Sequence, residues 1–291
     1  MTAADPDGAP LPAEVAVVWA LLAVVAVEIA FTYSRIPARE LYHVSGSGLE
    51  GGASRVLVYL DFPVALIALA ILGALYGRLS RGLRWIALVA AALCAVVFWP
   101  GVVSQANLDA RPVNALAAVG VLLALVLTIA LARAGGVARL GRRRGDAARI
   151  AVAAVLLVLA APWVAADLGF FLNGVPVLGA VFHTKTPFPD LYPFPPTVHH
   201  GHHHGMDGLL LVLTALLLSR VRPGAPMTAY LALMFCYGLG NIANDAWLEQ
   251  VWKRGWVSWQ LPNVLEPKPS LGWAVILAAT AVIWVVARRT A

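Results

Sequence analysis

The sequence is short of charge. Only 12% of its 291 residues are Asp, Glu, Lys or Arg against 60% hydrophobic, and the mean hydropathy is +0.79. That excess of apolar residues goes far beyond what a soluble core needs. Cysteine is nearly absent, with Cys94 and Cys236 both inside apolar runs, so no disulfide framework or thiolate metal site is encoded. No P-loop or dinucleotide-binding spacing of glycines occurs. No Lys or Arg precedes the first apolar run, which carries Glu28 and no small-residue cleavage site, so a cleaved signal peptide is not expected. Nor is there a soluble basic domain of the kind that binds nucleic acid, despite the net charge of +6.

What is present is a series of apolar stretches near the ~20 residues needed to cross a bilayer. They lie at 13–33, 56–76, 83–103, 113–132, 148–168, 202–221, 226–245 and 271–287. The expected fold is therefore all-α, a polytopic membrane helical bundle of eight spans forming a single domain over 1–291. A Pro/His-rich segment at 169–206 interrupts it. Basic loops are retained on the cytoplasmic side. The arginine-rich loop 133–149 fixes the orientation, with both termini cytoplasmic and the segment 169–206 outside, in a plasma (cytoplasmic) membrane. All seven histidines then lie on the extracytoplasmic side, together with most of the acids.

Five of those histidines, His199, His200, His202, His203 and His204, fall within six consecutive positions. Imidazole is the commonest protein metal ligand, so this run is the candidate metal site, for Zn, Cu or Fe. In a helix His199 with His203, and His200 with His204, share a face; Gly201 and Gly205 equally allow a loop to fold around an ion. Asp207 follows as a ligand or an orienting partner. Asn241, Asp245, Glu249 and Lys253 recur every four residues, which puts a polar stripe at the outer end of the seventh span. Asp207, Asp245 and Asn241 are the candidate catalytic groups, joined around one ion, while Glu249 and Lys253 read as a solvated helix extension. Arg111 and Lys185 are the candidates for holding an anionic head group.

Other features have plainer readings. Glycines and serines at 45–52 suggest a linker, and Asp61 before Pro63 suggests a cap opening the second span. Residues 170–182 are too short to span and read as re-entrant or interfacial. The tryptophans 247, 252, 256 and 259 read as an interfacial belt. His199-His200-Gly201-His202-His203 has the H-x-x-H-H spacing found in membrane desaturases and hydroxylases, but those enzymes use several such boxes and only one exists here, so no family is assigned.

The expected function is a metal-dependent membrane enzyme acting on a lipid or isoprenoid substrate. A metal or proton transporter, a metal-delivery protein, or an accessory subunit docking a membrane protein partner is the alternative. A transporter needs polar residues through the bilayer midplane, and the inner halves of the spans carry almost none.

Overall fold

The computed structural model describes residues 10–41, 43–184, 196–221 and 224–290. Among them the only regular elements are helices. The ten α-helices are α1 Ala13–Arg35, α2 Gly48–Tyr59, α3 Ala65–Leu75, α4 Arg81–Cys94, α5 Asn114–Gly135, α6 Asp146–Asp167, α7 Gly179–Phe182, α8 His204–Leu218, α9 Ala225–Trp247 and α10 Leu271–Thr290. Seven helical segments are long and apolar enough to cross a membrane. The eighth expected span is present as the 23-residue α9, but Asn241, Asn244 and Asp245 leave it less apolar than the rest. Mid-helix apolar residues such as Val24, Val126, Val158 and Val282 face outward, as they do in a bundle whose surroundings are as apolar as its core.

Two expectations about α2 and α3 are corrected. The helix begins at Gly48 rather than at 56, so the glycines at 48–52 are not linker. They allow α2 to pack tightly on α1, since a Cβ on Gly52 would meet the Ala30 carbonyl oxygen at 2.9 Å and Ser34 Oγ at 2.2 Å. Asp61 does not cap the span either. It lies inside the 31-residue segment Gly48–Arg78, almost wholly buried, where the helix breaks. The break arises because Pro63 supplies no N–H and pushes its predecessor out of the helical region; Phe62 has φ −145° and ψ 125°. The third span is also shorter than expected, ending as α4 at Cys94 with one tight turn to Phe98.

The helices alternate direction and sort the charges to two ends. At one end Arg220 of the turn after α8 pairs with Glu14 of α1 at 3.1 Å and with Asp146 of α6 at 2.5 Å. The end of α10 adjoins the start of α9, through Trp284 Nε1 donating to the Ala225 carbonyl. The start of α1 and the end of α10 therefore share this basic end. At the opposite end meet the last turns of α1, α6 and α9 and the first turn of α8, which carry the histidines and their acids.

The α8–α9 crossing sets the site's register. A Cβ on Gly208 would lie 2.4 Å from the Gly238 carbonyl oxygen, and one on Gly238 would lie 2.5 Å from that of Gly208. Backbone approach this close needs glycine on both helices. It places Asp245 and Glu249, two and three turns beyond Gly238, against the start of α8.

Candidate metal centre

The histidine loop takes the folded-loop alternative rather than a helix: α8 starts only at His204, capped by His203 with φ −83° and ψ 145°. Gly201 has φ +116°, and a Cβ there would sit 3.1 Å from the Tyr33 hydroxyl oxygen. Three hydrogen bonds pin the loop. Gly201 N–H donates to Asp167 Oδ1 at 3.1 Å, His202 N–H to Tyr33 Oη at 3.0 Å, and Gly205 N–H to Asp245 Oδ2 at 3.0 Å. The last puts a carboxylate from α9 on the N-terminus of α8, where negative charge is favoured.

His202 and His203 are consecutive, and their side chains serve different acids. Successive side chains of an extended backbone point to opposite sides. The side chains therefore fall into two neighbouring groups, with Asp207 beside His202 and Asp245 beside His203, where one ion shared by Asp207 and Asp245 was expected. In the first, Glu28 of α1, Asp167 of α6 and His202 bring three ligand atoms within 4.8 Å of one another. His202 Nε2 contacts Asp207 Oδ1 at 2.7 Å, which leaves Nδ1 directed toward Glu28 Oε2 at 3.9 Å. Thr32 holds this group from α1: its hydroxyl lies 3.1 Å from Glu28 Oε1 and 3.0 Å from the Asp167 carbonyl oxygen.

In the second group His199, His203 and Glu249 are the three donors within 4.8 Å. His203 Nε2 faces the His199 carbonyl oxygen at 3.1 Å, so Nδ1 turns to Glu249 Oε1 at 3.0 Å and Asp245 Oδ2 at 3.4 Å. Trp163 braces it from behind. Its ring stacks on His203 at 6.2 Å between centroids and its Nε1 donates to Glu249 Oε2 at 2.5 Å. The stack needs Gly205, where a Cβ would come 2.4 Å from the indole.

In both groups the far ring nitrogen is anchored on an oxygen while the near one faces carboxylates, the arrangement in which metal-ligating histidines are usually held. Three candidate ligand atoms are buried without a hydrogen-bond partner, Glu28 Oε2, Asp167 Oδ2 and His202 Nδ1, and Glu249 Oε1 is met by the His203 imidazole. Burial, reinforced by the charges of His203 and Lys253, pushes the His199 imidazole well below its usual range, which favours the neutral ring. Burial also opposes charge on His203, but Glu249 and then Asp245 outweigh it and hold its imidazolium well above the usual range. A metal bound at this group would take the place of that proton.

The remaining expected residues are placed as follows. His200 Nδ1 faces the Ala166 carbonyl at 3.1 Å with its ring edge-on to Phe171, and His204 Nε2 contacts Asn244 Oδ1 at 2.9 Å; among the described residues neither joins a three-ligand group. Asn241 is fully buried and its Nδ2 donates to the Tyr237 carbonyl, away from the histidines. Arg111 lines the same cavity but bonds the carbonyl oxygens of Gly101 and Val102. Lys185 and the proline-rich path around it lie outside the described residues. The solvated-extension reading of Glu249 and Lys253 is overturned, since Glu249 is fully buried and Lys253 Nζ donates to the Thr197 carbonyl at 3.0 Å. The helix continues past Trp247 through a wider turn, Leu248–Trp252, which carries both inward.

Three candidate ligands were not read as such from sequence: Glu28, Asp167 and Glu249. The signal existed in each, an acid inside or at the end of an apolar run. The second group, and His202 of the first, line a cavity of about 680 Å³ together with Arg55, Asp61, Arg111 and Lys253. The short segment after α6 forms part of its rim: Phe171 and His183 face the cavity, and Thr197 N–H donates to the Phe182 carbonyl at 2.7 Å. A narrow apolar crevice shares the walls Phe62, Val103 and Leu265 with it. No family model matches the chain, and neither a curated protein nor a solved structure matches it.

Proposed function

We propose that the chain is an integral membrane metalloenzyme of the plasma membrane, with both termini cytoplasmic and its metal centre at the extracytoplasmic face, acting on a lipid or isoprenoid substrate. The observation that carries this reading is the pair of histidines whose far nitrogens are anchored and whose near nitrogens face buried carboxylates. Such a concentration of acids is costly unless cations offset it. Two imidazoles and one carboxylate suit zinc with an open coordination position, and copper or iron also accept imidazole. A bound divalent ion would polarise a substrate oxygen or activate water. The chain's own residues do the rest: Asp207 orients His202, Trp163 and the His199 carbonyl orient His203, and the cavity admits a polar head while the adjoining crevice suits an apolar chain.

This reading fits better than transport. The polar cluster stays at one end, while the middle of the bundle is filled by Ile67, Ile71, Leu75, Val121 and Leu127; an ion path would need polar groups there. The purified protein, incubated with a panel of phospholipids and isoprenoid phosphates, should convert at least one, lose the activity to a chelator and regain it with a divalent ion. Ion flux through sealed vesicles without turnover of any lipid would favour the transporter instead.

Orientation is tested separately. In a background lacking Cys94 and Cys236, a cysteine at the exposed Asn107 should react with an impermeant thiol reagent in intact cells, and one at the exposed Gly141 should not. Labelling of Gly141→Cys alone would turn the site to the cytoplasmic side.

A further inference from the structure

The guanidinium of Arg55 is a buried cation that nothing in the described chain neutralises. The residue is 4% exposed, its Nε is buried without a hydrogen-bond partner, and no carboxylate of the described residues reaches salt-bridge distance. Its one aromatic contact is Tyr33, whose ring centroid lies 5.7 Å from Cζ. A charge taken out of water without a partner is strongly unfavourable, and arginine, fixed in its protonated form, cannot escape by losing its proton. Of the other two arginines of the cavity wall, Arg111 is already committed to the carbonyls of Gly101 and Val102, and Arg39 faces Glu40 at 3.8 Å. Asp109, nearer the rim, is held by Ser45 through both its backbone N–H and its hydroxyl. Arg55 thus faces the 680 Å³ cavity with its fork unspent.

We infer that Arg55 is the anchor for an oxyanion of the phosphate class, bound in the cavity beside the His202 group. The adjacency is direct. Tyr33, on which Arg55 lies, accepts the His202 N–H through its hydroxyl, so one aromatic ring separates the guanidinium from the histidine loop. A guanidinium fork matches two oxygens of a phosphate in one plane. The inference deepens the proposed enzyme reading and rests on it for the substrate: the phosphate belongs to an amphiphile whose apolar chain lies in the crevice behind Phe62, Val103 and Leu265. The same chemistry could arrive as free phosphate, and the experiment separates the two.

The test uses the full chain in dodecyl maltoside micelles, which carry no phosphate, with inorganic phosphate and a water-soluble short-chain phosphatidic acid as probes, each with and without chelator. Binding is followed by equilibrium dialysis and by the thermal unfolding midpoint. The wild type should bind phosphatidic acid and unfold at a higher temperature with it. Arg55→Gln should bind at least about tenfold more weakly, the scale of losing charge-assisted hydrogen bonds. Without anion, Arg55→Gln should unfold no earlier than wild type, because it deletes an uncompensated charge. Arg55→Lys, which keeps the charge and loses the fork, should fall between them, and it serves if the glutamine variant does not accumulate. Binding of phosphatidic acid but not of inorganic phosphate assigns the anion to a lipid; equal binding of both assigns it to the free ion. Arg55-dependent binding that survives chelation supports the anion site even if the metal reading fails. Undiminished binding by Arg55→Gln, or no binding of either probe by the wild type, overturns the inference.

Discussion

His203→Ala should strip the ion from the second group, with retained metal falling below about a tenth of the wild-type level. Losing an outer partner of a metal ligand already costs about 10- to 100-fold in affinity, and losing the ligand itself costs more. Glu249→Gln should act in the same direction. Glu28→Gln, on the other group, should leave this ion in place and remove a different one. In metal-free protein His203→Ala should also destabilise by about 3 kcal/mol, since it leaves Asp245 and Glu249 buried without their counter-charge. Elemental analysis of the three variants after gel filtration checks the assignment. Equal loss of all metal in each would mean one shared ion, and no loss in any would mean the carboxylates hold protons.

Gly208→Val or Gly238→Val should abolish metal retention without touching a ligand. Each glycine's added carbon would collide with a backbone oxygen of the facing helix at 2.4 and 2.5 Å, which no rotamer change relieves. Overpacking of this kind costs about 1 to 3 kcal/mol even where side chains can yield, so α9 must shift on α8. That shift separates Asp245 and Glu249 from the His199–His203 loop. Gly77→Ala, in open space, is the control and should stay within about 0.5 kcal/mol of wild type. Metal content and the unfolding midpoint read both effects. Normal metal content in Gly238→Val would show that the crossing does not set the site.

The helices were the most legible part of the sequence, because an apolar run of bilayer length has few alternatives. The spans expected at 113–132, 148–168 and 226–245 correspond to α5 Asn114–Gly135, α6 Asp146–Asp167 and α9 Ala225–Trp247. The break at Phe62 was less so. Pro63 marks it, but the same proline equally suits the first turn of a helix. At the site, the histidine run and the acids Asp207 and Asp245 were visible as a group, yet their partition was not. It depends on the extended backbone at His203, which sends neighbouring side chains to opposite sides. Glu28 and Asp167 join His202 only because the ends of α1 and α6 pack beside the same loop, a fact of tertiary arrangement with no local signature. Glu249 had the periodicity of the stripe, but its burial follows from the wider turn after Trp247. Arg55 carries no motif; only the lack of a carboxylate within ion-pair distance among the described residues singles it out.

The central claim is that histidines and carboxylates of the α8–α9 end hold a metal ion. X-ray absorption at the zinc, copper and iron edges of the purified full chain tests it most directly. The spectra should show a bound ion with nitrogen and oxygen neighbours, with imidazole scattering and nitrogen distances of about 2.0–2.1 Å in the case of zinc. No sulfur neighbour should appear, since Cys94 and Cys236 belong to the apolar core, and the imidazole signal should shrink in His203→Ala. Protein that carries none of the three metals after expression with each supplied, or an ion ringed by sulfur, would contradict it.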